Sequence, residues 1–151
     1  AEAEALAARL SEGVEAARRA AASLPRRPKV FFEEWDEPLI SGIRWVEELV
    51  QAAGGEPVFP ELRDKGLAKD RIVTAEEVVR RAPDLVVASW CGRKANLKAI
   101  AARPGWDAVP AVRNGLVREI KSTYILQPGP AALTEGLAQL EALVREASAS
   151  S

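Results

Sequence analysis

No histidine and no methionine occur in the 151 residues, and cysteine occurs once, at Cys91. Without histidine and with a single thiol, the chain can build neither a disulfide framework nor the zinc sites made of cysteine and histidine. A nucleophilic Cys91 would need Lys94 or Glu33 as its base, and nothing further in the sequence supports that pairing, so a small buried thiol is expected. Neither sign of charge is in excess: 21 basic and 22 acidic side chains are interspersed to a net charge of -1. That balance argues against a nucleic-acid partner. No apolar run approaches the roughly 20 residues that span a bilayer, and the start AEAEALAARL has neither the basic nor the apolar region of a leader. Because the sequence also begins without Met, a trimmed product with an upstream segment is expected. Nucleotide motifs are missing too, since GPAALTEG lacks a phosphate-loop lysine and no G-x-G-x-x-G follows a predicted strand. Glu33 and Glu34 are neighbours at a strand end, where alternation points them apart and unfits them for shared acid and base work. No catalytic residue and no protein-held metal are expected.

What is present is a core-forming chain, 48% hydrophobic, of a length that suits one apolar core. Leu6, Leu10, Val14 and Ala17 recur at helical spacing, so residues 1–22 read as a long amphipathic helix with a thin apolar face, stopped by Leu24-Pro25. Lys29–Phe32 reads as a buried strand, EEWDEPLI as a loop, and Ser41 as the cap of a helix that Gly54-Gly55 ends. A short second strand is expected at Val58–Pro60. Thr74 and Glu77 form a capping-box pattern for a helix to about Ala82, and LVVA at 85–88 has the continuous apolar character of a strand covered on both faces. A helix over Asn96–Ala102 follows. Asn114-Gly115 suits a hairpin between 111–113 and 116–120, KSTYILQP is a loop, and 130–147 forms a closing amphipathic helix before a frayed tail at 148–151. The alternation predicts an α/β fold: a three-layer αβα sandwich with a mostly parallel sheet, preceded by a long N-terminal helix.

Aromatic residues make up only 5% of the chain, so those in loops carry information. Ligands of open parallel sheets gather at the carboxyl ends of the strands. Three loops meet that condition, and Trp35, Trp90 and Tyr124 lie one in each. Glu33, Glu34, Asp36, Ser89, Lys121, Ser122, Thr123 and Gln127 accompany them as polar groups. Such a rim suits a large, partly apolar ligand, whereas Trp45 and Trp106 sit at packing positions.

The segments KVFFEEWDEPLISGIRWVEELVQAAGGEPVF, RIVTAEEVVRRAPDLVVASWCG, RPGWDAVPAVRNGLVREI and ILQPGPAAL, in this order, resemble the C-terminal lobe of the cobalamin- and iron-siderophore-binding proteins that feed ABC importers. The resemblance implies two lobes joined by one long helix, a periplasmic or extracytoplasmic setting, and delivery of cobalamin or a chelated-iron ligand to a membrane permease. Residues 1–24 would be that inter-lobe helix or its C-terminal part, residues 25–147 the C-terminal lobe, and the N-terminal lobe would be missing. It further implies ligand contacts at Glu34, Trp35, Asp36, Ser89, Trp90, Thr123, Tyr124 and Gln127. Glu76 would be the carboxylate that docks on the permease. Where the relatives carry a ligand-touching aromatic before the RIVTAEE-like motif, this chain has Asp70. An alternative reading is a lone lobe that self-associates as a homodimer through its open rim.

Overall fold

The computed structural model describes residues 2–127 and 129–150. Helix α1 spans Glu2–Ala21, with Glu2 and Glu4 in its first turn and Arg18 and Arg19 in its last, the polarity that complements a helix dipole. Only Ala17 and Ala21 of α1 are buried, in keeping with its thin apolar face. This end packs against α2, Arg44–Ala52.

The first strand is longer than predicted. β1 covers Lys29–Asp36 and folds back at Glu37-Pro38 into β2, Leu39–Ser41, so the expected loop EEWDEPLI is mostly an antiparallel hairpin. Its polar composition disguised it, because the end of β1 leaves the core and needs no apolar side chains there. Glu33 pairs with Ser41 and Trp35 with Ile40, which makes Glu34 the extra residue of a bulge. Ser41 therefore lies in a strand and does not cap α2. The helix starts after Ile43, whose N–H is taken by the Glu34 carboxylate. The predicted stop holds: Gly54 has φ +104°, and a Cβ there would lie 2.5 Å from Leu24 Cδ1. The expected strand at 58–60 is displaced to β3, Glu56–Pro57, with a 3₁₀ turn at Pro60–Leu62.

α3, Ala75–Arg81, is capped as its sequence predicts, with Thr74 Oγ1 accepting from the Glu77 N–H at 3.1 Å. β4, Leu85–Ala88, is buried at every residue. α4, Leu97–Ala101, takes Asn96 as its cap. No hairpin forms around Asn114-Gly115. Pro110, at the first position of a helical turn, instead starts α5, Pro110–Arg113, and β5, Val117–Glu119, then joins β4 in parallel. KSTYILQP is also not all loop, since α6 spans Ser122–Ile125.

The closing helix contains a π turn at Ala132–Gly136 and continues as α7, Leu137–Ala149. Residues 148 and 149, expected in a frayed tail, are helical, and Ser148 is buried. Arg26 donates to the carbonyls of Ala147 and Ser150 and ties this end down. Ser151 lies outside the described residues.

The sheet order is β2-β1-β4-β5, with β3 also on β1, and every pairing except β1·β2 is parallel. Helices cover both faces, as the α/β sandwich prediction required. Phe31 meets Phe59 edge-on at 5.7 Å and Trp106 at 6.5 Å between ring centroids, and Trp106 is fully buried, as expected of a packing residue. The parallel run of β1, β4 and β5 sends the segments after them to one edge of the sheet.

Candidate functional site

Three segments meet at that edge. The first is the end of β1 with Glu34, Trp35 and Asp36, the second is the turn 89–94 after β4, and the third is 121–127 after β5. Arg93 joins the first two: it pairs with Asp36 Oδ1 at 2.6 Å, and its guanidinium lies 4.6 Å from the Trp35 ring centroid and 4.5 Å from that of Trp90. Ser122 joins the last two by accepting the Gly92 N–H at 3.1 Å.

The predicted residues do not share one environment. Thr123, Tyr124 and Gln127 are exposed, with Tyr124 at 38%. Trp35 and Asp36 are half-buried, and the Trp35 indole N–H is used by the Glu37 carbonyl at 3.1 Å. Ser89 and Trp90, expected to wall the cleft, are buried, Trp90 to 5% exposure. Neither offers a ligand more than a trace of surface. Trp90 sinks because its indole N–H has a buried acceptor, Glu33 Oε2, at 2.8 Å. Glu33 is itself fully buried and accepts from Nη1 and Nη2 of Arg103, at 2.7 and 2.9 Å. A buried carboxylate of this kind persists only when paired. Cys91, expected to be buried, is exposed.

Glu34 has different partners from Glu33, and its carboxylate is committed to the protein. It pairs with buried Arg71 Nη1 at 3.1 Å and caps Ile43. Burial raises its pKa above the ordinary carboxylate value, against the opposing pull of Arg71. Glu34 thus shapes the hairpin, and the exposed offer of this segment falls to Trp35 and Asp36. Asp70 is exposed in the 3₁₀ turn Ala68–Arg71.

Sequence reasoning missed Arg93 and weighed Lys94 only as a base for Cys91. The signal was present, because GRK directly follows the turn at a strand's carboxyl end. Beside Arg93 opens a cavity of about 360 Å³ lined by Lys94, Glu119, Lys121, Ser122 and Thr123. Glu119 there accepts the Ala95 N–H at 2.7 Å. Among the described residues, no three His, Cys, Asp or Glu side chains gather as metal ligands. Glu76 is exposed at the start of α3 and makes no ion pair among the described residues, whereas its neighbour Glu77 pairs with Arg80 and Arg81.

Residues 1–124 match the family profile described as periplasmic binding protein. No curated protein matches. Among solved structures, an ABC transporter substrate-binding protein from Listeria monocytogenes EGD-e aligns at 19% identity with a TM-score of 0.79, covering 96% of this chain and 57% of that one. The periplasmic heme-binding protein RhuT from Roseiflexus sp. RS-1 aligns at 24% identity and TM-score 0.76, covering 96% and 56%. The periplasmic vitamin B12 binding protein BtuF of Vibrio cholerae aligns at 20% identity and TM-score 0.68, covering 93% and 52%. The chain therefore spans little more than half the length of these proteins.

Proposed function

The chain belongs to the periplasmic binding protein family, and from that premise we propose that it supplies one ligand-gripping lobe of the substrate-binding component of an ABC importer. In this reading it is the C-terminal lobe, α1 belongs to the inter-lobe helix, and the cargo is cobalamin, heme or a chelated-iron, siderophore-type ligand delivered outside the cytoplasm to a membrane permease. The single observation that carries it is the convergence of Trp35, Asp36, Thr123, Tyr124 and Gln127 with Arg93 at one sheet edge. Half of a cleft is what such an edge amounts to. Its function is to bind and hand over, without bond chemistry.

The aromatic contribution is narrower than an open rim of indoles. Trp35 is roofed by Arg93 and Trp90 is buried, so ring stacking on cargo rests on Tyr124 and on whatever part of Trp35 the guanidinium leaves open. The same fact weakens the alternative of self-association, because less apolar area is left at this edge to be sticky. Titrating the chain with cobalamin, hemin and a ferric hydroxamate while following tryptophan fluorescence tests the reading. A saturable change is expected with at least one of them, since Trp35 stands at the edge. A flat response to all of them up to millimolar concentration rejects the lobe as a ligand-gripping surface.

A further inference from the structure

The geometry points to a receptor for carboxylate groups at this edge: Arg93, flanked by Lys94 and Lys121, takes the anionic periphery of the ligand in the cavity beside α6. The inference rests on the cleft reading above and narrows its cargo to ligands that carry free carboxylates.

Three observations carry it. First, the cavity wall is cationic, with Arg93, Lys94 and Lys121 against the single carboxylate of Glu119. That carboxylate already accepts a backbone N–H from Ala95. Second, Arg93 is preorganised. Its guanidinium carbon lies over both Trp35 and Trp90, and Trp90 is anchored through the buried Glu33 to the partly buried Arg103. A chain of contacts that starts at buried Glu33 therefore restrains a group whose side chain is still 49% exposed. A guanidinium so restrained binds a carboxylate in two parallel hydrogen bonds and gives up little side-chain freedom in doing so. Third, Arg93 is not used up: its Nη2 serves Asp36, and its Nη1 and Nε have no acceptor among the described residues. Ser122, which also lines the cavity, adds a hydroxyl whose oxygen accepts from Gly92 and whose proton is free to donate.

The test is an NMR titration of the ¹⁵N-labelled chain with citrate, and in parallel with triethyl citrate, which has the same skeleton and no charge. Citrate is expected to shift Gly92, Ser122 and the Arg93 side-chain Nε–H saturably, with an affinity that weakens as salt is raised. The ester is expected to leave them in place. Arg93→Ala should weaken citrate at least tenfold, the scale of a lost charge-assisted hydrogen-bond pair. Lys121→Ala, an exposed side chain, should weaken it about threefold without risk to folding. Arg93→Lys, which keeps charge and loses the planar fork, should fall between wild type and Arg93→Ala. Equal responses to acid and ester, or citrate binding indifferent to both alanine substitutions, overturns the inference. If a large chelate quenches tryptophan while citrate leaves these residues still, the carboxylate receptor fails and the carrier reading stands. Citrate binding here with no response to any chelate has the reverse meaning.

Discussion

Glu47 shows most directly what burial does to a single side chain. It is 2% exposed in α2, its Oε1 is 3.5 Å from the Ser41 hydroxyl, and its Oε2 has no partner among the described residues. Loss of water around it, and then the nearby charge of Glu34, push its pKa from 4.5 up to about 8. The folded protein thus keeps a proton that the unfolded chain releases above about 4.5. The stability tied to that proton is complete below the unfolded value and drains as pH rises, until the loss is full beyond about 8. Glu34, also raised, adds in the same direction. Glu47→Gln keeps the shape and cannot ionise, so it should raise the urea midpoint at pH 8 and flatten the fall between pH 5 and 8, by a few kcal/mol at most. Parallel stability curves for the two proteins across that range would remove Glu47 from this account.

At the scale of elements, the π turn before α7 matters because of what lies against it. A Cβ on Gly136 would stand 2.5 Å from the Tyr124 carbonyl oxygen and 3.3 Å from Ile125 Cβ. Only a residue without a side chain lets the closing helix approach α6 so closely, and α6 is the element that carries exposed Tyr124. Gly136→Ala is expected to cost roughly 1–3 kcal/mol of stability, the range for forcing an extra methyl into a packed site, and to shift the amide signals of α6. Wild-type stability together with unmoved α6 signals would show that the contact is not constraining. The bulge at Glu34 has a comparable role on the other side. It lets one carboxylate cap α2 while Trp35 and Asp36 are turned toward Arg93.

At the scale of the molecule, the lobe has two working faces in the reading proposed here, the cleft edge and the start of α3. Glu76 is exposed beside a well-satisfied cap, so its charge is available to a partner at no cost to the fold. In the protein that carries this lobe together with its importer, Glu76→Arg should leave ligand titration unchanged, cost about 1 kcal/mol of stability at the N-terminus of α3, and abolish stimulation of transport. Unaltered transport would separate Glu76 from docking. The first half of α1, Glu2 to Arg9, is exposed throughout.

How much of this was legible beforehand depends on the range of the interaction involved. The sequence by itself determined the elements whose signals are local. These are α1 from its periodicity, the Thr74 cap, the Gly54 stop, the fully apolar β4, and the parallel α/β plan that their alternation implies, because each rests on contacts within a turn or a strand. It also placed Trp35, Asp36, Thr123, Tyr124 and Gln127 at the carboxyl ends of strands. Only the tertiary structure decided which of the predicted site residues remain on the surface. Glu33 meets Arg103 across 70 residues and Arg93 meets Asp36 across 57, and no local pattern records such pairings. Those long-range charges hold Trp90 in the core and Arg93 over Trp35, and antiparallel pairing with Leu39–Ser41 makes strand of a polar segment that reads as loop. A charge's preferred partner is set by distance in space, which chain order alone does not contain.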